Sequence, residues 1–327
     1  MRILCLVTRL DKASARYRIL QYIPYLEAEG IEVQVRIIGQ KLGDKCQILA
    51  AARQFDLVLI QKKLIAYVDL KLLRAFSKKL VFDFDDAIMF SDSLASDTNS
   101  TTRQNKFRHM AQSVDAIIAG NSYLASLAST YNNQVFCIPT SIDLNRYQIQ
   151  KPITSSTITI GWIGSAITLP YLKTIKIPLE AVGERAPNAQ LKIVSDAFLH
   201  FSRIRSIHKP WNFDDEIEDL NSMDIGIMPL TDDPWARGKC GFKLLQYMAV
   251  GKPVVCSPVG VNRDIVQPDI NGYWASNDEE WQDNLLKLIE DKTLRQRMGK
   301  AARVTIEEHY SLENNAKILS ECVKQIV

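Results

Sequence analysis

The sequence predicts an α/β protein made of two successive domains, each a doubly wound sheet of parallel strands. The chain has 327 residues, which is enough for two domains of about 150 residues each. Short apolar segments typical of buried strands alternate with segments of helical periodicity. This alternation begins at ILCLVT, residues 3–8, and begins again at TITIGWIG, residues 157–164. The restart is the observation that predicts a second sheet.

The composition is that of an ordinary globular protein. Hydrophobic residues make up 46% of the chain and charged residues 24%. No run of 18 apolar residues is present, so we expect no membrane span. The six cysteines have no CxxC or zinc spacing, and Cys5, Cys137 and Cys256 lie within apolar strand patterns. We therefore expect a reduced, cytoplasmic protein.

The charge is distributed unevenly along the chain. Residues 1–150 contain 19 Lys and Arg against 14 Asp and Glu, whereas the remainder contains 21 against 23. A basic N-terminal half could face an anionic acceptor or lipid head groups, which predicts peripheral contact at the inner face of the membrane. The alternative is an ordinary solvated surface. The excess is too small to predict nucleic-acid binding.

The N-terminal half begins with a strand, a loop and a helix that we expect to run from Arg16 to Glu29. The loop TRLDKASARYR after the first strand lacks the sequence G-x-G-x-x-G, so a dinucleotide-dependent dehydrogenase is disfavoured. In its place the loop puts Arg16 and Arg18 near the carboxyl end of the strand. Ligands of doubly wound sheets bind at that edge.

A strand predicted at KLVFDFDD, residues 79–86, ends in three carboxylates. The alternation of a strand puts Asp83 and Asp85 on one face and Asp86 on the other. Carboxylates at this edge can accept sugar hydroxyls, bind a metal or act as a base. The alternative is a helix cap, or ion pairs with Arg16 and Arg18.

The boundary between the domains is predicted in RYQIQKPITSST, residues 146–157. This segment is polar, contains Pro152 and has no apolar periodicity. The predicted domains are therefore residues 1–150 and 151–327, with the last helix able to pack back on the first domain.

Residues 235–259 read as a basic loop, an apolar helix from Phe242 to Ala249, and a short buried strand. The loop and first helical turn contribute Arg237, Lys239 and Lys243. Free backbone N–H groups at a helix start, together with basic side chains, are suited to a phosphate or a diphosphate. The alternative is an ordinary loop–helix–strand connection of an α/β domain.

Several segments together resemble the retaining, nucleotide-sugar-dependent glycosyltransferases of the GT-B fold (glycosyl transferases group 1, family 4-like). The most specific is GKCGFKLLQYMAVGKPVVCSPVGVNRDIV, residues 238–266. Weaker ones are VDAIIAGNSYL, IPTSIDLNRY, IGWIGS, SMDIGIMPL, NGYWAS and MGKAARVTIEEHYSL. The resemblance covers nearly the whole chain. It implies two Rossmann-like domains that face a central cleft, and a function in polysaccharide biosynthesis.

The resemblance also implies roles for particular residues. The nucleotide sugar, which is the donor substrate and the only cofactor-like molecule expected, would bind the C-terminal domain without a metal. Its diphosphate would lie at the helix start, with contacts from Arg237, Lys239, Gly241, Phe242 and Lys243. Gly164 and Ser165 would let the backbone approach the donor, and Gln246 would hold a donor hydroxyl. The glycan or glycolipid acceptor would lie on the N-terminal domain against Asp85, Asp86 and Arg16.

The sequence departs from the family pattern in two places. Two glutamates usually stand eight positions apart around the central block, and here those positions hold Gly238 and Gln246. The loop after the first strand of the second domain usually carries an Arg and a Lys, but residues 164–168 carry no cation. We interpret these changes as those of a variant subgroup of active enzymes. The alternatives are a nucleotide-sugar epimerase and a non-catalytic subunit that binds a nucleotide sugar.

Overall fold

The computed structural model describes residues 1–39, 41–93, 95, 97–150 and 156–327, which fold into two compact units. The first unit comprises Met1–Ser141, Asp233–Cys240 and Leu312–Val327. The second unit comprises Ile142–Asp232 and Gly241–Ser311. The predicted boundary at 150/151 falls beside residues 151–155, which lie outside the described residues. The described residues 142–150 belong to the second unit, and the last helix belongs to the first.

Twelve strands occur in the described residues, all of them short. In chain order they are β1 Arg2–Val7, β2 Glu32–Ile37, β3 Leu57–Gln61, β4 Lys79–Phe84, β5 Ala116–Ala119, β6 Val135–Cys137, β7 Ile158–Ile163, β8 Ala189–Val194, β9 Arg205–Lys209, β10 Ile225–Met228, β11 Val254–Cys256 and β12 Gly272–Trp274.

The helices lie between these strands in the chain, and the last three of them follow β12. They are α1 Ala13–Arg18, α2 Ile23–Ala28, α3 Leu42–Ala52, α4 Tyr67–Phe76, α5 Thr101–Ser113, α6 Ser122–Ser129, α7 Leu169–Thr174, α8 Lys176–Arg185, α9 Glu216–Asn221, α10 Pro234–Arg237, α11 Phe242–Ala249, α12 Asn262–Ile265, α13 Asp278–Glu290, α14 Lys292–Thr305 and α15 Leu312–Ile326. A 3₁₀ turn spans Leu20–Tyr22, and a π-helical turn spans Ile306–Tyr310.

Each unit contains one six-stranded sheet, and the strand pairs within both sheets are parallel. The order is β2-β1-β3-β4-β5-β6 in the first unit and β9-β8-β7-β10-β11-β12 in the second. The predicted α/β class, with two doubly wound Rossmann-like domains, is confirmed. In such sheets the connections change direction at one point, between β1 and β3 here and between β7 and β10. Ligands bind beside the carboxyl ends of the strands at that point.

The helix predicted from Arg16 to Glu29 is interrupted. Its residues form α1, the 3₁₀ turn and α2, with a break at Ile19, whose φ of −125° is not helical. Pro24 then occupies the first turn of α2. Because proline has no N–H to donate to the preceding turn, it starts a helix more readily than it continues one. The sequence prediction was wrong in treating the segment as one helix.

A buried ion pair joins α1 to β4 in the core of the first unit. The guanidinium of Arg18 binds the carboxylate of Asp83, and their side chains are 2% and 4% exposed. Arg18 also donates to the carbonyl of Ile138 over 2.6 Å. Asp83 is therefore a structural residue, as the ion-pair alternative proposed.

We predict that Arg18→Met destabilises the protein by about 3–5 kcal/mol, because it leaves the carboxylate of Asp83 buried without its cation. The double variant Arg18→Met/Asp83→Leu should recover most of that loss, with a remaining deficit of about 1 kcal/mol from the carbonyl of Ile138. Urea denaturation measures both. As a control, Lys317→Met removes an exposed ion pair with Glu313 and should change little. A double variant as unstable as the single one would contradict this account.

Candidate functional site

The carboxyl end of β4 carries a cluster of two carboxylates and two ammonium groups. The Nζ atom of Lys62, directly after β3, lies 3.0 Å from Oδ1 of Asp85 and also binds Asp86. The Nζ atom of Lys239 lies 3.1 Å from Oδ1 of Asp86. All four residues belong to the first unit. We call Lys62, Asp85, Asp86 and Lys239 the aspartate–lysine cluster.

The predicted alternation of the carboxylates was wrong beyond Phe84. The strand ends at Phe84, so Asp85 and Asp86 follow it in a turn. Both of them contact Lys62, whereas Asp83 contacts Arg18. Alternation is a property of extended backbone and is lost where the turn begins.

Lys62 was missed by the sequence analysis as a partner of these carboxylates. Its φ is +55°, a left-handed conformation that is unfavourable for a residue with a side chain. Its N–H donates to the carbonyl of Asp83 over 2.7 Å, which holds this conformation in place. The signal in the sequence was a lysine directly after a buried strand that neighbours the carboxylate strand.

The charges of the cluster reinforce one another. Burial alone would raise the pKa of Asp86, but the ammonium groups of Lys62 and Lys239 outweigh burial and lower it. Burial alone would lower the pKa of Lys62, but Asp85 and Asp86 raise it. The carboxylate of Asp86 therefore stays ionised at neutral pH and is a poor proton acceptor.

The segment 233–240 is held in the first unit by hydrogen bonds. The side chain of Asp233 caps α10 by accepting from the N–H of Ala236. The Asn121 amide donates to the carbonyls of Gly238 and Lys239, over 3.2 and 3.1 Å. The thiol of Cys240 donates to the carbonyl of Asp85 over 3.2 Å. Lys239 is thus held in two ways: Asn121 binds its backbone carbonyl, and Asp86 binds its ammonium group.

Gly238 stands at one of the two positions where the family that the sequence resembles usually carries a glutamate, and the structure shows that a side chain there would be crowded. A Cβ atom at this position would lie 2.4 Å from Cβ and 2.8 Å from N of Ala87. Both distances are shorter than van der Waals contact. A side chain at position 238 therefore requires Ala87 to move. The packing of Ala87 against Gly238 therefore leaves no room for a glutamate at position 238.

In the second unit, α11 starts from a left-handed glycine. Gly241 has φ +66°, and a Cβ atom there would lie 2.3 Å from Cδ1 of Ile265. The hydroxyl of Tyr247 accepts a hydrogen bond from the N–H of Ile163 over 2.9 Å, which joins α11 to the end of β7. Lys243 precedes Tyr247 by four residues, so both lie on the same face of the helix.

Lys243 and Gly164 are brought together by Trp162. The Nζ atom of Lys243 lies 5.6 Å from the centre of the Trp162 ring, over its face. A Cβ atom at Gly164 would lie 2.4 Å from the same ring. The start of α11 and the loop after β7 thus share one region of the second unit. This region lies at the carboxyl edge of the sheet, where β7 neighbours β10.

The loop after β7 is ordered by its own hydrogen bonds. The N–H of Ser165 donates to Oγ1 of Thr168 over 3.1 Å. The N–H of Ala166 donates to Oδ1 of Asp196 over 2.6 Å. Asp196 follows β8, so the loop is attached to the neighbouring strand. Among the predicted donor residues, Ser165, Gly164 and Lys243 form one group.

Gln246 is 3% exposed, and its amide is used within the second unit. It donates to the hydroxyl of Tyr147 over 3.1 Å, and that hydroxyl donates to Oε1 of Glu216 over 2.6 Å. The contact of Tyr147 with Gln246 was not predicted from the sequence, because Tyr147 lies 99 residues before Gln246 in the chain. The predicted contact of Gln246 with a donor hydroxyl stays a prediction, and its observed partner is a protein hydroxyl.

The remaining predicted residues are distributed between the two units. Arg237 is exposed at the end of α10 in the first unit, whereas Lys243 belongs to the second. Arg16 lies on α1, with its guanidinium carbon 6.0 Å from the centre of the Tyr17 ring. Convergence of Arg237, Lys239 and Lys243 on one diphosphate stays a prediction. Among the described residues, no group of three or more His, Cys, Asp or Glu side chains could hold a metal ion.

Comparison with known proteins agrees with the predicted resemblance. Residues 208–305, which include α11, match the model of the family described as glycosyl transferases group 1. No curated protein sequence shows a significant similarity to the chain.

Several solved structures share the fold at low sequence identity. The chain is similar to HepE of Anabaena in complex with UDP, with 16% identity, a TM-score of 0.72 and coverage of 99% of this chain and 100% of that one. It is similar to sucrose-phosphate synthase of Thermosynechococcus elongatus, with 14% identity, a TM-score of 0.75 and coverage of 99% and 98%. A glycosyltransferase of Rickettsia africae matches with 14% identity, a TM-score of 0.74 and coverage of 99% and 98%. The predicted resemblance to GT-B glycosyltransferases is confirmed.

We predict that Gly238→Ala destabilises the protein by about 1–3 kcal/mol, because its Cβ atom would overlap Ala87. Ala87→Gly in the same chain should restore part of the stability, since the backbone N of Ala87 also lies within the overlap. Gly43→Ala is the matched control: it lies in α3 with nothing within 4 Å of the new Cβ, so it should be neutral or stabilising. Thermal unfolding measures all three. A Gly238→Ala variant as stable as the parent would contradict the steric explanation.

We predict that Asp86→Asn lowers the free energy of unfolding at pH 7 by about 1–3 kcal/mol, because the amide leaves two ammonium groups without this carboxylate. The pKa of Asp86 is lower in the folded protein than in the unfolded chain. The stabilisation by the carboxylate is therefore complete above about pH 4 and is lost as the pH falls through the folded pKa. Urea denaturation from pH 7 downward should show the gap between parent and variant closing only below about pH 4. A gap that does not depend on pH would refute the assignment.

Proposed function

We propose that this chain, a glycosyltransferase of the GT-B fold, transfers a sugar from a nucleoside-diphosphate donor to a glycan or glycolipid acceptor, with retention and without a metal. The start of α11 beside the loop after β7 is the observation that supports the proposal. It combines a helix N-terminus, a lysine and a glycine loop at the carboxyl edge of a doubly wound sheet. That combination suits a diphosphate.

The donor diphosphate is assigned to the second unit. The N-terminus of α11, which begins at Phe242, carries the positive end of the helix dipole. Gly241 and Gly164 have no side chain that would keep a phosphate from the backbone. Lys243 adds a full positive charge beside them. Arg237 is a further candidate for the diphosphate, at the end of α10.

The reaction breaks the bond between the anomeric carbon and the diphosphate oxygen, and it forms a bond to an acceptor hydroxyl on the same face. The proton of that hydroxyl passes to the leaving diphosphate. Negative charge grows on the diphosphate as the bond breaks, so fixed positive charge at Lys243 stabilises the transition state more than the ground state.

The acceptor is assigned to the first unit, at the aspartate–lysine cluster and Arg16. Asp85 has one ion-pair partner among the described residues, Lys62, whereas Asp86 has two. We assign Asp85 to the orientation of an acceptor hydroxyl. Asp86 acts by positioning Lys62 and Lys239.

Titration with nucleoside diphosphates tests the proposed reaction. UDP, GDP, ADP and dTDP are added to the purified protein with and without EDTA, and thermal stability is followed. UDP is the first candidate because HepE is described in complex with UDP. Saturation at about 100 times the dissociation constant should stabilise the protein by about 2.7 kcal/mol. A stabilisation that EDTA does not change supports a metal-free transferase, and no response to any of them overturns the proposal.

We predict that Lys243→Ala lowers kcat/KM for hydrolysis of the nucleotide sugar by an amount equivalent to about 2–4 kcal/mol of activation free energy, because the leaving diphosphate loses a cation. Lys243→Arg should retain more activity than the alanine variant, since it keeps the charge. Lys300→Ala is the matched control, an exposed lysine of α14. Rates of release of free sugar and of nucleoside diphosphate provide the measurement. A folded Lys243→Ala variant with parental rates would remove this residue from the site.

A further inference from the structure

The first unit contains a cavity that is separate from the aspartate–lysine cluster. It has a volume of about 790 Å³ and lies between α3, α4 and the carboxyl ends of β1 and β3. This volume is within the range of small-molecule sites, about 300–1,000 Å³. The connections of the sheet change direction between β1 and β3, which is where ligands of this fold class bind. None of the residues proposed for sugar transfer lines the cavity.

Apolar side chains form both the floor and the outer rim of the cavity. Leu6 of β1 and Ile60 of β3 lie buried at the floor. At the rim, Leu42, Val68 and Leu72 of α3 and α4 are 78%, 66% and 43% exposed. Large apolar side chains exposed together at the mouth of a cavity mark a surface that an apolar ligand can cover.

Cations also line the cavity. Arg9, Lys12 and Lys63 lie on the loops that follow β1 and β3, and Lys45 lies on α3. Asp69 is the one carboxylate among the described lining residues, and it binds Lys45 over 2.8 Å. Lys12 and Lys63 make no ion pair with any carboxylate in the described part of the chain. The cavity thus presents positive charge next to an apolar floor.

The basic side of the cavity adjoins the aspartate–lysine cluster. Lys62 and Lys63 are consecutive residues directly after β3. The ammonium of Lys62 binds Asp85 and Asp86, while Lys63 lines the cavity. A ligand whose anionic group contacts Lys63 therefore has that group close to the carboxylates assigned to the acceptor.

We propose that this cavity binds the lipid part of the acceptor, an apolar chain joined through a phosphate to the sugar that carries the acceptor hydroxyl. The chain would cover the apolar floor and the rim of α3 and α4, and the phosphate would contact Lys12 and Lys63. A neutral lipid would leave the two lysines unused, and a free phosphate would leave the apolar floor in water. The inference rests on the proposed transfer reaction, because that reaction requires an acceptor on this unit.

Binding of amphiphiles of defined structure tests the inference. Farnesyl phosphate, geranyl phosphate, farnesol and inorganic phosphate are titrated calorimetrically into the full chain, below their aggregation concentrations. Each buried CH₂ group strengthens binding by about fourfold, so farnesyl phosphate should bind tighter than geranyl phosphate by about tenfold or more. Farnesol should bind more weakly than its phosphate by about tenfold or more, because it lacks charge-assisted hydrogen bonds. Inorganic phosphate binding as tightly as farnesyl phosphate would overturn the lipid assignment.

Paired variants locate the binding. Lys12→Ala/Lys63→Ala should weaken farnesyl phosphate by about tenfold or more and leave farnesol unchanged. Val68→Ser/Leu72→Ser should weaken both ligands, because it removes apolar rim. Lys106→Ala is the matched control, an exposed lysine of α5 outside the cavity. Farnesyl phosphate that binds both paired variants as it binds the parent would place its site elsewhere and overturn the inference.

Thiol alkylation gives an independent measure of occupancy. Cys46 is exposed and lines the cavity, whereas Cys137 is exposed on β6 and does not line it. Farnesyl phosphate should slow maleimide labelling of Cys46 by about tenfold at saturation and leave that of Cys137 unchanged. Equal rates for Cys46 with and without the ligand would overturn the inference.

Nucleotide binding separates a failure of this inference from a failure of the proposed function. If UDP or another nucleoside diphosphate stabilises the protein and farnesyl phosphate does not bind, the donor assignment stands and the lipid inference is wrong. If farnesyl phosphate binds with the predicted variant effects and no nucleoside diphosphate does, the proposed transfer is wrong, and with it the identification of the lipid as acceptor.

Discussion

The position of residues 233–240 in the first unit depends on the ion pairs of Asp86 with Lys62 and Lys239. Lys239 is 153 residues from Asp86 in the chain, yet the two are held 3.1 Å apart between Nζ and Oδ1. This contact, with the hydrogen bonds of Asn121, places residues 233–240 among the strand ends of the first unit. The next residue, Gly241, belongs to the second unit and directly precedes α11.

The basic residues of the central block are divided between the two units, and the cluster holds Lys239 in the first. Lys239 neutralises Asp86 and lies 4.5 Å from the centre of the Trp235 ring, so its charge is used within the first unit. Lys243 lies over Trp162 in the second unit and adds its charge to the start of α11. Gly238 packs against Ala87, so the position where the resembled family usually has a glutamate carries no carboxylate here. The departures from the family pattern therefore change where the charges lie. Lys239 is paired with Asp86 in the first unit, and Lys243 in the second unit is the cation that we assign to the donor.

Much of this was readable from the sequence, and the failures have local causes. Apolar segments buried on both faces predict parallel strands well, because both sheets are covered by helices. The helix break at Ile19 was missed because apolar periodicity continues through it, while Pro24 acts only on the backbone. The cluster was missed because the contact of Lys239 with Asp86 joins residues that no local pattern relates. The steric role of Gly238 was equally hidden, since it depends on the position of Ala87 in space.

The interaction between Lys243 and the β-phosphate of the donor tests the central claim most directly. Calorimetry of UDP and UMP binding to the parent, to Lys243→Met and to Lys239→Met gives two double-mutant cycles. We expect the β-phosphate to couple to Lys243 by about 1–3 kcal/mol, and to couple to Lys239 much less. Strong coupling to Lys239 with none to Lys243 would contradict the assignment. It would show that Asp86 yields this lysine to the nucleotide, and that the donor site is organised around the first unit.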